Sequence, residues 1–413
     1  MSEHFRKAVL SRLPDLPPTR APWADAPDED EDTEELEDDQ LGELGGASFA
    51  TSKRAADDLS PISASQFFTQ ALEVTPPSSD TTFRVYLTPP VIPATSSSSS
   101  SSSSIASGTP LGQSQNRHGT VLVCHHGAGA GGLSFAALAK EIKEKSQGEL
   151  GVVAWDGRGH GKTRTEGPKE KDTDLSLPTL LNDFMGVLQH LFPDPKESPS
   201  LVLLGHSMGA APILSASPLL QQAGYTVAGV GVLDVVEGTA VEALPLMKSI
   251  LGQRPQSFRS VIDGIHWHIT SNSIRNPLSA RVSVPSYLVP EQDQTDPGPS
   301  GKQIWRTDLL ATEPYWEEWY RGLSSRFLTA KCARLLVLAG QERLDKELMV
   351  GQMQGKFQLE VMTDVGHYLH EDDPAKLASV IVTFWRRNTR VVLPPKIGST
   401  GSSGIAVRRV GEE

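Results

Sequence analysis

Residues 201–211 read Leu-Val-Leu-Leu-Gly-His-Ser-Met-Gly-Ala-Ala. An apolar run leads directly into Gly205-His-Ser-Met-Gly209, and small residues follow it. The pattern G-x-S-x-G between a strand and a helix is typical of a sharp turn, where a side chain on either glycine would collide with neighbouring backbone. The pattern predicts that the turn presents Ser207 as a nucleophile at a helix N-terminus. The alternative is a Gly-Ser turn that matches the pattern by chance.

Short apolar runs alternate with longer stretches of helical spacing from residue 119 onward. Strands of four to seven aliphatic residues that alternate with helices predict an α/β fold with a mainly parallel sheet. The predicted strands are Thr82–Thr88, Val121–Cys124, Val152–Trp155, Leu201–Leu204, Val227–Leu233, Leu335–Leu338 and Phe357–Met362. The predicted helices are 135–142, 177–192, 210–220 and 375–385.

Several segments interrupt this alternation. Residues 240–330 hold four of the seven tryptophans and predict a helical insert between two core strands, either a lid over the site or a packing subdomain. Residues 93–118 contain nine consecutive serines and predict a disordered polar insert. Residues 1–80 and 390–413 contain few large apolar side chains, so they are expected to be mostly disordered, and the folded domain is placed at 81–389.

The charge of the 413 residues is unevenly distributed. Ten carboxylates lie within residues 28–39, and removing them from the net charge of −12 leaves −2. A nearly neutral body is a poor nucleic-acid binder. The two cysteines, Cys124 and Cys332, are too few for a disulfide scaffold or a multi-cysteine zinc site. Without a membrane-spanning apolar run or a signal-peptide pattern, we expect a soluble intracellular protein, cytoplasmic or nuclear.

A serine hydroxyl needs a general base, and the base needs an orienting acid, in the chain order Ser, acid, His. His367 follows the last predicted strand and a glycine, which suits a base on a tight turn, and His370 is the alternative. Asp234 ends the predicted strand after the nucleophile's own, and Asp345 follows a later strand. Spacing alone leaves these two acids open.

Two glycine-containing loops follow other predicted strands. The loop His125-His-Gly-Ala-Gly-Ala-Gly-Gly132 resembles an oxyanion loop, which would act together with the N–H of Met208. It also fits G-x-G-x-x-G, a weak match to a nucleotide-binding turn that no P-loop Lys-Ser/Thr supports. In Asp156-Gly-Arg158-Gly-His-Gly161, we expect Asp156 and Arg158 to brace loops rather than to act in catalysis.

Together these stretches resemble the protein phosphatase methylesterase family of eukaryotic α/β hydrolases. Beyond the serine turn, the most specific stretch is Asp234-Val-Val-Glu-Gly-Thr-Ala240. The resemblance covers about residues 80–90 and 119–388. Its other stretches are Thr82–Tyr86, Ile274–Asn276, Ser279–Ser283, Tyr315–Trp316, Trp319, Arg321–Ser324, Leu344–Lys346 and Gly351–Phe357.

The resemblance implies an α/β-hydrolase fold and a catalytic triad of Ser207, Asp234 and His367, which makes Asp345 structural. The oxyanion loop departs from the family pattern in having no unbroken glycine triplet, and this departure leaves the second oxyanion donor open. We expect Ala128 in that role beside Met208. The implied activity is removal of the methyl ester from the C-terminal leucine of the protein phosphatase 2A catalytic subunit, without a metal or organic cofactor, by a monomer. The alternatives are a general carboxylesterase or lipase that acts on small esters, and a non-catalytic binding protein on this scaffold.

Overall fold

The structure of the protein is a computed structural model. It describes residues 58–77, 79–92, 118–291, 301–340 and 344–389. The acidic run, the serine tract and the segment from 390 onward lie outside the described residues, so the disorder expected there stays a prediction. Residues 58–77 do contain regular structure, and the folded part therefore begins before the predicted boundary at residue 81.

One large twisted sheet forms the centre of the described residues. Nine strands contribute in the order β1-β2-β4-β3-β6-β7-β11-β12, with β5 paired to β2. All pairs from β4 to β12 in this order are parallel, whereas β2 pairs antiparallel with β1, β4 and β5. The strands are β1 Gln70–Val74, β2 Thr81–Thr88, β3 Thr120–His125, β4 Leu150–Trp155, β5 Arg164–Thr165, β6 Ser200–His206, β7 Val227–Leu233, β11 Ala333–Ala339 and β12 Gln358–Met362.

Helices cover both faces of this sheet, which is consistent with the predicted α/β fold. Strand β6 shows why: Leu201 and Leu203 pack into one hydrophobic cluster, whereas Val202 and Leu204 pack into the other. Helices α2 and α3 cover the first face, and α1 and α11 cover the second. The helices on the two faces are α1 Ala136–Lys145, α2 Leu177–Leu191, α3 Ala210–Gln222 and α11 Pro374–Thr389.

The insert between β7 and β11, called the cap below (residues 237–329), is more than the predicted helical segment. Besides its helices it contains a small antiparallel sheet in the order β8-β10-β9. These strands have only two or three residues, too few to show a periodic pattern in sequence. The cap comprises α4 Glu237–Gly252, β8 Ser257–Phe258, α5 Val261–Thr270, α6 Pro277–Ser283, β9 Leu288–Pro290, β10 Gln303–Trp305, α7 Trp316–Tyr320 and α8 Leu323–Thr329.

The cap has a hydrophobic cluster of its own. Ile265 and Ile274 are fully buried at its centre. Ala130 and Tyr368, which belong to loops at the carboxyl ends of the sheet strands, pack into the same cluster. The cap core therefore continues into those loops. Two further short helices lie after β11 and β12: α9 Lys346–Met353 and α10 Leu369–Asp372. Within the described residues, no helix combines the length and apolar character that a bilayer crossing requires.

Candidate active site

Ser207 stands at the sharp turn between β6 and α3. Its φ is 50°, in the left-handed region that a non-glycine residue rarely adopts. The flanking glycines are required: a Cβ on Gly205 would lie 2.5 Å from the Gly209 carbonyl oxygen, and one on Gly209 would lie 2.4 Å from that of His125. The turn thus has the geometry that the sequence pattern predicted.

Asp234 follows β7, the strand directly beside β6. In this pairing His206 lies opposite Leu233. The residues that follow them, Ser207 and Asp234, therefore leave the sheet at the same level. The backbone N–H of Asp234 donates to Val337 O at 2.8 Å, and its Oδ1 accepts the N–H of Ala339 at 2.7 Å. These bonds to β11 hold Asp234 at a φ of 50° with its side chain buried.

His367 lies in the loop between β12 and α10 and meets Asp234. Its Nδ1 is 2.8 Å from Asp234 Oδ2, and its side chain is 29% exposed against 3% for Asp234. His206, immediately before Ser207, has its ring centroid 4.6 Å from that of His367, and its Nε2 contacts His367 O at 2.9 Å. The ends of β6 and β7 and the histidine loop therefore converge.

The alternative candidates occupy other places. His370 is fully buried and stacks on Phe135 with ring centroids 4.6 Å apart. Burial lowers the pKa of His370 to about 3. Asp345 caps the N-terminus of α9 by accepting the N–H of Leu348 at 2.9 Å, and it also accepts the Ser324 hydroxyl at 2.5 Å. None of these contacts involves Asp234 or His367.

Three N–H groups of the glycine-rich loop after β3 are occupied within the protein. Gly129 donates to His160 Nε2 at 2.9 Å, Gly132 donates to Asp156 Oδ1 at 2.8 Å, and Ala130 donates to Gly127 O at 3.2 Å. These three groups are therefore not free to bind a phosphate. Among the hydrogen bonds of the described residues outside regular helices and strands, none uses the N–H of Ala128 or Met208.

Asp156 and Arg158 brace loops, as expected. Asp156 is fully buried and also accepts the N–H of Lys162 at 2.9 Å and the hydroxyl of Tyr86 at 3.2 Å; burial raises its pKa. Arg158 forms a two-pronged contact with Asp183, with N–O distances of 2.9 Å and 2.8 Å.

Sequence reasoning missed three residues at or around the site. The side chain of Tyr320, at the end of α7 in the cap, interacts with Ser207, and burial raises the pKa of this tyrosine. Asp372 accepts the N–H of Gly366 at 2.6 Å, next to His367. Buried Glu371 accepts hydroxyls from Ser283 at 2.5 Å and Tyr287 at 3.0 Å, and burial raises its pKa to about 8. No local spacing rule connects these residues to a serine more than a hundred positions away.

In the part of the chain that the structure describes, no group of three or more His, Cys, Asp or Glu side chains is placed to hold a metal ion. The two cysteines are unpaired: Cys124 is buried and Cys332 is half-buried. The chemistry available at the convergence point is that of a serine, a histidine and an aspartate.

Comparison with known proteins identifies relatives of the whole chain. The sequence model of the Alpha/beta hydrolase family matches residues 122–380. "Protein phosphatase methylesterase 1" of Cryptococcus neoformans var. neoformans serotype D (strain JEC21) is 62% identical over 424 residues, covering 100% of both chains. The protein of the same name from Aspergillus fumigatus is 38% identical over 431 residues, covering 100% of this chain and 95% of its own.

Solved structures support the fold alone. The chain is similar to E-2-(acetamidomethylene)succinate hydrolase with a TM-score of 0.53 and 16% identity, over 76% of this chain and 99% of that one. An α/β hydrolase from Novosphingobium aromaticivorans matches with a TM-score of 0.51 and 13% identity, over 76% and 98%. The predicted fold class is confirmed. The chain belongs to the Alpha/beta hydrolase family and, within it, to the protein phosphatase methylesterase 1 family of serine esterases.

Proposed function

We propose that this esterase removes the methyl ester from the C-terminal leucine of the protein phosphatase 2A catalytic subunit. The observation that carries the proposal is the 2.8 Å contact between His367 Nδ1 and Asp234 Oδ2 beside the Ser207 turn. The names of full-length relatives, protein phosphatase methylesterase 1, support the choice of a methyl ester and of a protein phosphatase. The leucine and the specific phosphatase come from the motif resemblance.

The proposed reaction begins with proton transfer from Ser207 to His367. The contact with Asp234 places the Nδ1 proton between the two side chains, which leaves Nε2 as the proton acceptor. As Nε2 takes the hydroxyl proton, Ser207 Oγ forms a bond to the ester carbonyl carbon. The carbonyl oxygen becomes an oxyanion, for which we propose the N–H groups of Met208 and Ala128 as donors.

Collapse of this intermediate breaks the bond from carbon to the methoxy oxygen. His367 returns its proton to that oxygen, so methanol leaves and an acyl-enzyme remains. A water molecule then gives a proton to His367 and adds to the acyl carbon. As the bond from carbon to Ser207 Oγ breaks, His367 returns this proton to Oγ, which restores the serine hydroxyl and releases a carboxylic acid that ionises in water at neutral pH. Asp234 stabilises the imidazolium in both halves without taking the proton itself.

The decisive experiment compares the wild type with Ser207→Ala, using a methyl-esterified peptide and a fluorophosphonate probe. The wild type is expected to release methanol from a methyl-esterified phosphatase tail peptide and to react with a fluorophosphonate probe at Ser207. Ser207→Ala is expected to lose both, while its far-UV circular dichroism stays unchanged. Methanol release that persists in Ser207→Ala would contradict the mechanism.

Two outcomes would replace the proposal with one of its alternatives. Turnover of a simple aryl ester that greatly exceeds turnover of the methylated tail would indicate a general carboxylesterase. Absence of probe labelling in the folded wild type would indicate a non-catalytic binding protein.

The docking surface for the phosphatase is proposed in the cap and in residues 351–357. Exposed apolar side chains near the end of α9 support the second location: Met349 and Val350 are about half exposed, and Met353 is 84% exposed. Met353→Asp is therefore expected to raise KM for the intact methylated phosphatase without changing hydrolysis of the isolated tail peptide. Equal effects on both substrates would contradict docking at α9.

A further inference from the structure

Arg254 is a cap residue that follows α4 and points toward the histidine loop. Its guanidinium carbon lies 5.3 Å from the ring centroid of Trp305. Its side chain also interacts with Tyr368, the residue after His367. The Tyr368 ring centroid is 5.6 Å from that of His367 and 5.3 Å from that of His206. The cation of Arg254 is thus separated from the proposed base by one tyrosine side chain.

No acidic side chain balances this cation in the described part of the chain. Its surroundings provide a tyrosine hydroxyl and an aromatic face, and burial lowers the pKa of Arg254. Other arginines of the cap do contact aspartates. These pairs are Arg259–Asp263, Arg275–Asp372, Arg281–Asp58 and Arg306–Asp172. Arg254 is half-buried, and a partly desolvated guanidinium without a counter-ion is a ready partner for an anion.

The neighbours of Arg254 hold it in place. Trp305 donates its indole N–H to Pro255 O at 2.7 Å and meets Phe258 edge-on at 5.3 Å. His268 lies 5.5 Å from Trp305, ring to ring, and burial lowers the pKa of His268 to about 4, so this histidine is neutral at pH 7. His268 therefore adds no positive charge beside the guanidinium at pH 7.

We propose that Arg254, oriented by Trp305 and Tyr368, binds an acidic side chain of the substrate polypeptide. The proposal rests on the proposed function, in which the substrate is a chain that ends in a methyl ester. The esterified terminus is neutral, so an anion at Arg254 must come from elsewhere in the peptide. One tyrosine side chain separates Arg254 from His367, with the Tyr368 and His367 ring centroids 5.6 Å apart. Because an extended chain advances about 3.4 Å per residue, we place the acidic residue about two to four positions before the ester.

The test uses pairs of peptide methyl esters that differ only in Asp or Asn at a position two, three or four residues before the ester. The ratio of kcat/KM for the Asp peptide to kcat/KM for its Asn partner is measured in each enzyme. Using a ratio within one enzyme cancels any general disturbance of His367 through Tyr368. At one of these positions the wild-type ratio is expected to be about 10, carried by KM, as for a charge-assisted hydrogen bond.

Arg254→Gln is expected to bring this ratio close to one. The matched control is Arg259→Gln, which removes the same charge from the cap at a side chain that is 92% exposed, and the ratio should stay near its wild-type value. Added salt should lower the ratio in the wild type and leave it unchanged in Arg254→Gln.

A wild-type ratio near one at all three positions, or a high ratio that persists in Arg254→Gln, would overturn the subsite and leave the proposed esterase activity standing. If the wild type hydrolysed neither peptide, the proposed function and the subsite would be overturned together. Inhibition by the demethylated Asn peptide that weakens in Arg254→Gln would show that Arg254 binds the product carboxylate, which also overturns the side-chain assignment.

Discussion

Ser207 and Asp234 share an unusual backbone conformation, each with a φ of 50° at the end of adjacent parallel strands. A non-glycine residue in this region costs about 1–3 kcal/mol unless the surroundings enforce it. Here the surroundings do so, through the glycine contacts around Ser207 and the bonds from Asp234 to β11. Both residues that must face the histidine therefore carry this strain.

The assignment of the acid can be tested by paired substitutions. Asp234→Asn keeps the size of the side chain and tolerates a positive φ, but it removes the carboxylate that fixes the His367 tautomer. We expect kcat to fall by about 10⁴ at neutral pH with little change in Tm. Asp345→Asn is expected to keep kcat within about twofold, because an asparagine still caps α9. Steady-state kinetics on an aryl ester measure both; a large loss in Asp345→Asn alone would reverse the assignment.

Gly209 provides a second test at this scale. A Cβ at Gly209 would lie 2.4 Å from the His125 carbonyl oxygen and 2.6 Å from that of His126, and both contacts are with backbone. Gly209→Ala is therefore expected to destabilise the fold by several kcal/mol and to remove probe labelling. Gly252→Ala is the control, because nothing lies within 4 Å of its Cβ position at the end of α4. Thermal unfolding should show Tm unchanged or slightly raised in Gly252→Ala.

The sequence specified some of these residues and not others for physical reasons. The Ser207 turn is local, so five residues define it. The choice between Asp234 and Asp345 depends on which strand lies beside β6, a long-range pairing that no spacing reveals; the motif resemblance, not the periodicity, pointed to Asp234. Tyr320 and Arg254 reach the site from the cap by tertiary packing, and neither carries a local signature.

At the scale of elements, the histidine loop is held from both sides. Asp372 accepts N–H groups from Gly366 at 2.6 Å and Arg275 at 2.8 Å, and Glu371 joins α10 to α6 and the turn after it through Ser283 and Tyr287. One short helix thus ties the loop of His367 to the cap.

Glu371 should make stability depend on pH. Burial raises its pKa to about 8 from an ordinary value of 4.5, so the folded state holds a proton that the unfolded state has lost between these pH values. Its contribution to stability is complete below pH 4.5 and declines by up to about 1.4 kcal/mol per pH unit until about pH 8. Glu371→Gln should remove this part of the slope in urea titrations between pH 5 and 8. The exposed Glu347→Gln should keep it, and an unchanged slope in Glu371→Gln would refute the assignment.

The long elements were predictable and the short ones were not. Strand β7 was predicted at Val227–Leu233, the bounds that the structure has, because a buried parallel strand reads as a continuous apolar run. Strand β1 was missed because its register is set by pairing with β2, and its own residues are mostly exposed. The two- and three-residue strands of the cap depend entirely on their partners.

At the scale of the whole molecule, the described residues pack around three hydrophobic clusters, one on each face of the sheet and one in the cap. The cap cluster includes Ala130 of the glycine-rich loop and Tyr368 beside His367. The cap is therefore part of the support of the candidate site, which goes beyond the alternatives of lid and separate packing subdomain that the sequence left open.

This arrangement predicts that the cap can loosen before the sheet unfolds. Ile265 in α5 and Ile381 in α11 are both buried, but Ile265 belongs to the cap cluster and Ile381 to a sheet-face cluster. Replacing either with Ala should cost about 2–5 kcal/mol locally. A small cluster opens independently more readily than the central sheet. Ile265→Ala should therefore lose esterase activity at a lower urea concentration than the one at which its far-UV circular dichroism signal is lost. In Ile381→Ala the two transitions should coincide. Coincident transitions in both variants would mean that cap and sheet unfold as one cooperative unit.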